Sequence, residues 1–161
     1  MNGLNDIEII HFEKHYAQDF YLLNVEWLKT FFYVEAYDEE VLTKPEKYII
    51  DKGGHIFFAK LGSTIVGTVA LMPIVGTRNF ELTKMAVSPK LRGYKIGQLL
   101  MSHCIQFSKE QEIDKLILYS NRKLENAIYI YRKFGFVEKP LEASNPYKRS
   151  DIKMELPLSL D

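Results

Sequence analysis

Three β-rich segments follow one another with only short breaks, and this run restricts the chain more than any other feature. His55 to Lys60, Thr64 to Pro73 and Phe80 to Val87 are dense in β-branched and aromatic residues. Leu61-Gly62-Ser63 and Gly76-Thr77-Arg78-Asn79 separate them, and breaks this short and glycine-bearing suit antiparallel neighbours. The expectation is an antiparallel meander. Ile7 to Phe12 reads as an earlier strand. From Glu13 to Tyr33 the apolar positions Tyr16, Phe20, Leu23, Trp27 and Phe31 recur every three or four residues, the spacing of one buried helix face. Asp38 before Glu39, Glu40 and Val41 reads as an N-cap with an acidic first turn, opening a short helix that closes before Gly53-Gly54.

After the meander the period changes. Ile96, Leu99, Leu100, Cys104 and Phe107 form a helical stripe running to about Gln111, and Lys115 to Ser120 is a strand. Leu124, Ala127, Ile128, Tyr131 and Phe134 trace another helix, with Gly135 in the position of a C-terminal glycine. Phe136 to Glu138 and Ile152 to Leu158 complete the strands. The order predicts an α/β chain on a central mixed, mostly antiparallel sheet flanked by helices. With 161 residues and no linker, repeat or low-complexity tract, residues 1–161 are expected to form a single domain.

Charge and cysteine usage narrow the class. Lys and Arg total 21 and Asp and Glu total 21, a balance that argues against a protein devoted to coating nucleic acid. The single cysteine, Cys104, excludes an internal disulfide framework, and Met1 to His11 lacks the basic start and apolar stretch of a leader. No apolar run approaches the roughly 20 residues that cross a bilayer. The expected location is cytoplasmic, with no membrane partner.

The segment from Met85 to Leu100 leads from a strand through a basic, glycine-bearing turn into a striped helix. Glycines let several N–H groups converge, and a new helix adds unpaired N–H groups and its positive dipole end, so the segment is suited to cradle a pyrophosphate. Arg92 and Lys95 add charge. A lone Gly-x-x-x-Gly with solvated basic residues is more often an ordinary connection; the neighbouring residues change that balance. Met85-Ala86-Val87-Ser88-Pro89-Lys90-Leu91-Arg92-Gly93-Tyr94-Lys95-Ile96-Gly97 resembles the cofactor motif of the GNAT superfamily of N-acetyltransferases, Gln/Arg-x-x-Gly-x-Gly/Ala after a strand ending in Val-x-Pro. Arg92 and Gly97 match its ends, whereas Lys95 stands where the inner glycine is usual. Asn126-Ala127-Ile128-Tyr129-Ile130-Tyr131-Arg132-Lys133-Phe134-Gly135-Phe136 resembles the family's Ala-Ile-x-Leu-Tyr-x-Lys-x-Gly-Phe helix. The two matches lie within Phe80 to Phe136, roughly a third of the chain, in the family's order.

The resemblance implies a GNAT-like (acyl-CoA N-acyltransferase) fold and transfer of acetyl from acetyl-CoA directly to a primary amine of an unidentified acceptor. It implies that coenzyme A is held by Met85, Ala86, Val87, Arg92, Gly93, Tyr94, Lys95, Ile96, Gly97 and Gln98, with Asn121 and Asn126 as further donors to pantetheine. Tyr131 takes the place of the tyrosine that protonates the coenzyme A sulfur. Glu81, six residues before Val87, takes that of a base acting through water. The Val87 N–H is the implied donor to the thioester carbonyl. Dimers are frequent in the family, so a homodimer is an expected assembly.

Each residue also has a plainer reading. Tyr131 lies on an apolar stripe, Glu81 reads equally as an exposed strand glutamate, and Asn121 suits a cap. His11 and His15 are four apart, but His11 belongs to a strand and no third ligand is near, so no metal is expected. Cys104 reads as a small core thiol. Glu35, Asp38, Glu39 and Glu40 could attract a cationic amine or simply be a solvated helix start. Phe31, Phe32, Tyr33 and Tyr37 could line an acceptor pocket, although most read as core. The alternative function is a noncatalytic acyl-CoA-binding or sensing domain, permitted by Lys95. A Gly-x-x-x-x-Gly-Lys-Ser/Thr loop and a dinucleotide fingerprint are both missing.

Overall fold

Phe57 and Phe58 are successive residues of β2 (His55–Leu61) and both are fully buried, which requires cover on both faces of the strand. The computed structural model, which describes residues 6–158, supplies that cover. Seven strands form one sheet in the order β1-β2-β3-β4-β5-β7-β6. They comprise β1 (Ile7–His11), β3 (Thr64–Pro73), β4 (Asn79–Val87), β5 (Lys115–Ser120), β6 (Val137–Lys139) and β7 (Ile152–Pro157) around β2. Every neighbouring pair is antiparallel except β4 with β5. The mixed sheet and its meander are as expected, and each strand ends within 1 residue of its sequence-based bounds. No helix among the described residues is long and apolar enough to cross a membrane.

Alternation along the strands sorts two cores. On one face Phe57, Val69, Leu71 and Leu82 meet Ile96, Leu100, Met101 and Cys104 of α4 (Ile96–Glu110), with α5 (Glu125–Lys133) beside them. On the other, Ile56, Phe58, Ala70 and Met72 meet Phe20 and Leu28 of α1 (Ala17–Phe31) and Val41 and Leu42 of α2 (Ala36–Thr43). The short α3 (Pro45–Tyr48) follows α2. Burying each of the Val, Leu, Ile, Phe and Met side chains among them contributes about 1.5–3 kcal/mol. Gly67 on β3 sets the approach of α4, since a Cβ there would lie 3.2 Å from both Ile96 and Leu100.

Two local expectations are corrected. The buried stripe of α1 is Phe20, Asn24 and Leu28; Leu23, Trp27 and Phe31 lie on its flank, and Tyr16 belongs to a preceding 3-10 turn. Asn24 can face the core because its amide donates to the Phe20 carbonyl at 3.0 Å. The N-cap of α2 is Glu35, three residues earlier than expected, and Asp38 is the reciprocal partner of a capping box, accepting from the Glu35 N–H at 3.0 Å. Asp38 is fully buried, and therefore is no solvated helix start.

Two irregularities of β4 position the site. Its pairing with β5 covers only Asn79, Phe80 and Glu81, so from Leu82 onward the two parallel strands part and leave one edge of β4 unpaired. Its pairing with β3 passes from Thr68–Ala86 to Ala70–Thr83, so Lys84 and Met85 together face Val69 in a β-bulge, with Lys84 in the left-handed region at φ 55°. The extra residue turns Lys84 toward the α2 side, next to Thr83, and returns Met85 to the α4 side.

Candidate active site

A cleft of about 590 Å³ lies beside the unpaired edge of β4. It is lined by Met85, Ala86 and Val87, by Leu91, Arg92, Gly93 and Lys95 of the turn, and by Ile96, Gly97 and Gln98 of α4. Asn126, Ala127, Ile130 and Tyr131 of α5 face them, with Trp27 and Phe31 of α1 at one end. Of the residues expected at the cofactor, Tyr94 is exposed and outside this lining, and Asn121 lies in a neighbouring cavity. The Asn121 amide donates to the Arg149 carbonyl at 2.7 Å and its oxygen accepts from the Lys123 N–H at 2.9 Å, the local capping arrangement.

The turn is shaped for an anion. Gly93 adopts φ 92° and Lys95 φ 68°, so the position where the motif usually carries glycine is one where the backbone is left-handed. Lys95 is the N-cap of α4 and offers no side-chain cap, leaving the first N–H groups of a 15-residue helix available at the cleft. A Cβ at Gly97 would meet protein atoms no closer than 3.6 Å, so glycine there keeps space on the cleft side. Arg92, Lys95, Lys123 and Lys133 line the cleft against one acid, Glu125. Arg92 is drawn to Glu26 of α1 by an ion pair, its guanidinium carbon is 5.3 Å from the Phe31 ring centre, and its buried Nε has no partner. An orphaned guanidinium N–H, an uncapped helix and an open strand edge suit a pyrophosphate continued by an extended amide chain.

A second cavity of about 100 Å³ adjoins the first, and Trp27, Met85, Leu124 and Tyr131 line both. Its other walls are Asn24, Leu28, Phe32, Leu82, Thr83, Lys84, Leu118, Tyr119, Ser120, Asn121, Tyr147, Arg149 and Ser150. The Tyr131 hydroxyl has no hydrogen-bond partner among the described residues, and burial pushes the phenol up to about 12. The same dry surroundings raise the basicity of any anion formed beside it, so the phenol can still donate.

Glu81 lines neither cavity. It is buried, not an exposed strand glutamate, and burial raises its carboxyl above the usual range against the opposing pull of Lys84. It belongs to a cluster that links β4, α2 and the loop before β7. Lys84 Nζ donates to Asp38 Oδ1 at 2.8 Å, Arg149 donates to Asp38 Oδ2 at 2.6 Å and to Glu35 at 3.1 Å, and the Tyr147 hydroxyl donates to Glu81 Oε2 at 2.9 Å. Burial alone would raise the Asp38 carboxyl, but Arg149 and Lys84 together hold it low; burial lowers Lys84. Glu35 and Asp38 are thus engaged by cations, while Glu39 and Glu40 face Tyr21, Lys44 and Tyr48.

Sequence reasoning did not single out Lys84, Tyr147 or Arg149. Lys84 left a trace: strict alternation from Phe80 and Leu82 places it on the apolar face and Met85 off it, the sign of an extra residue. Tyr147 and Arg149 lie in an aperiodic loop and left none. His11 meets Phe57 edge to face with ring centres 5.1 Å apart, and Cys104 is buried with its thiol pushed up by desolvation.

The sequence model described as the "Acetyltransferase (GNAT) family" matches residues 20–136. Among relatives, an uncharacterized N-acetyltransferase of Schizosaccharomyces pombe is 28% identical over 137 residues, covering 83% of this chain and 81% of that protein. Rat N-acetyltransferase 8 is 28% identical over 95 residues, 56% of this chain and 43% of that protein, so the chain spans less than half of it. A GNAT-family acetyltransferase from Staphylococcus aureus Mu50 superposes with a TM-score of 0.84 at 27% identity, covering 95% of this chain and 99% of that one. The PaiA N-acetyltransferase of Thermoplasma acidophilum, solved with coenzyme A, shares the fold with a TM-score of 0.72 at 21% identity, over 94% and 98% of the two chains.

Proposed function

Because the chain belongs to the GNAT acetyltransferase family, whose members are acyl-CoA-dependent N-acyltransferases, we propose that it transfers acetyl from acetyl-CoA directly to a primary amine held beside Tyr131. The observation that carries this reading is that Tyr131 lines both cavities, its hydroxyl free, at the place where a donor in the larger would meet an acceptor in the smaller. The larger cleft takes the pyrophosphate at Arg92 and the start of α4, with Gln98 and Asn126 along its walls. Pantetheine runs along the open edge of Met85, Ala86 and Val87, replacing the strand pairing that β5 withholds. Acetyl-CoA supplies the activated acyl group. The Val87 N–H polarises the carbonyl, Tyr131 gives its proton to the departing sulfur, and Glu81 receives the amine proton.

The smaller cavity points to a compact acceptor end. Its lining holds no carboxylate, and its charged members are Lys84 and Arg149. Polyamines, which need several carboxylates, are poorly matched; a primary amine whose remaining groups are neutral suits these walls.

Thiol release from acetyl-CoA against a panel of amines, with coenzyme A binding measured on the same preparation, tests the reading. Turnover with an amine is expected. Binding without release across the panel would replace it by the sensing domain, and absence of binding would remove the cleft assignment.

A further inference from the structure

A tyrosine in the wall of the smaller cavity is hydrogen-bonded to a buried carboxylate behind it. Glu81 sits at the last position where β4 pairs with β5, and it has no surface on the cavity. Tyr147, from the loop between β6 and β7, does line the cavity, and its hydroxyl donates to Glu81 Oε2 at 2.9 Å. We propose that Tyr147 and Glu81 form a proton relay for the acceptor amine: Tyr147 meets the ammonium group and Glu81 stores the proton. The proposal rests on the transferase reading above.

The step balances. The acceptor arrives as an ammonium ion, its proton passes to the Tyr147 oxygen, and the Tyr147 O–H proton passes to Glu81 Oε2. One N–H and one O–H bond break, two O–H bonds form, and no electrons are exchanged. The products are a neutral amine able to attack, an unchanged tyrosine and a protonated Glu81. The second amine proton leaves with acyl transfer and matches the one Tyr131 gives to sulfur. Glu81 returns its proton to solvent by the reverse route once the cavity opens.

The surroundings favour both halves. Lys84 Nζ lies 3.4 Å from the Tyr147 oxygen and Thr83 Oγ1 lies 3.1 Å from it, so the oxygen is fixed and negative charge passing over it is stabilised. The Arg149 guanidinium carbon is 4.6 Å from the Tyr147 ring centre. Tyr37 of α2 and Tyr119 of β5 flank the ring at 5.9 Å and 6.2 Å, and Asp38 and Glu35 complete the charged groups around it. With Glu81 ionised, three carboxylates face two cations. Once Glu81 is protonated, Glu35 and Asp38 balance Lys84 and Arg149, so the arriving proton removes an excess buried charge. Desolvation acts in the same direction on Glu81.

The test is thiol release against pH with the best amine of the panel, for wild type, Tyr147→Phe, Glu81→Gln and the double variant. Each single change should lower kcat about 100-fold with coenzyme A affinity intact, because general acid–base groups contribute on that scale. The double variant should lose no more than either single one, as groups acting in series do. In wild type the acid limb should lie above the ordinary carboxylate range, and Glu81→Gln should abolish it. Glu81→Gln is isosteric, so it decides the matter if Tyr147→Phe fails to fold. Near-wild-type kcat with an unchanged acid limb in either folded variant would overturn the relay, as would multiplicative losses in the double variant. A wild type that binds coenzyme A but acetylates no amine defeats the transferase reading and the relay with it, an outcome distinct from active variants.

Discussion

Lys84 Nζ lies 2.8 Å from Asp38 Oδ1, and the two side chains are 3% and 0% exposed, so this ion pair joins the bulge of β4 to the first turn of α2 shielded from bulk solvent. Arg149 bonds the same carboxylate from a third element. Removing the Asp38 charge strands the buried Lys84 ammonium and leaves Arg149 with Glu35 alone, and Asp38→Asn should cost about 3–5 kcal/mol in urea unfolding. Because Lys84 and Arg149 hold the Asp38 carboxyl low, its contribution is present at neutral pH and disappears only as pH falls through that lowered value. A loss under about 1 kcal/mol would place the pair among weak surface bridges.

Arg92 is engaged by Glu26, which competes with any phosphate for the same guanidinium. Arg92→Ala should weaken coenzyme A about 10-fold or more by calorimetry, the scale of a charge-assisted bond. Glu26→Gln should tighten it. An unchanged dissociation constant in both variants would remove Arg92 from the cradle.

Tyr131→Phe keeps the ring packed and deletes only the free hydroxyl. We expect kcat to fall about 100-fold while the coenzyme A dissociation constant stays within about twofold. Equal loss of turnover and affinity would mean that the hydroxyl serves binding.

Lys95 holds a left-handed backbone at φ 68°, φ space that costs a non-glycine residue about 1–2 kcal/mol. Lys95→Gly relieves it, offset by glycine's extra freedom in the unfolded chain, for a net gain of about 0.5–1 kcal/mol. Thermal unfolding should rise accordingly. Lys95→Ala, which retains the Cβ, should not raise it; a gain with alanine would show that the lysine side chain, not the backbone, carries the cost.

His55 packs on Phe107 at 4.6 Å and His103 on Phe57 at 4.7 Å, and burial, then the charge of His11, lowers both imidazoles below 6.5. The unfolded chain takes up protons first, so their contribution is complete above about 6.5 and is lost as pH falls below it. The urea midpoint should decline from pH 7.5 to 5.5, and His55→Gln with His103→Gln should flatten the decline. A midpoint that is flat in wild type would refute it.

What was legible in the sequence is what local periodicity records. The strands of the meander, α4 with its stripe from Ile96 to Phe107, and the turn around Arg92 and Gly97 are contained in short windows, so spacing and turn chemistry suffice. The buried face of α1 was misplaced because Asn24 satisfies its amide within the helix, and polarity alone cannot reveal that. Asp38 was misread because its partners Lys84 and Arg149 lie 46 and 111 residues away. Tyr147 meets Glu81 across 66 residues from a loop with no period of its own. The larger cleft is built largely from neighbours in sequence, whereas the smaller cavity is built from strangers.

The bulge at Lys84 and Met85 makes the length of β4 matter more than its composition. Deleting one residue there would exchange the two faces of everything that follows as far as Val87, turning the lysine into the oil of one core and the strand's open edge out of phase at a single stroke. Substitutions in this segment can drift one position at a time, but insertions and deletions cannot, so divergent copies of this chain should differ in spelling across β4 while keeping its count.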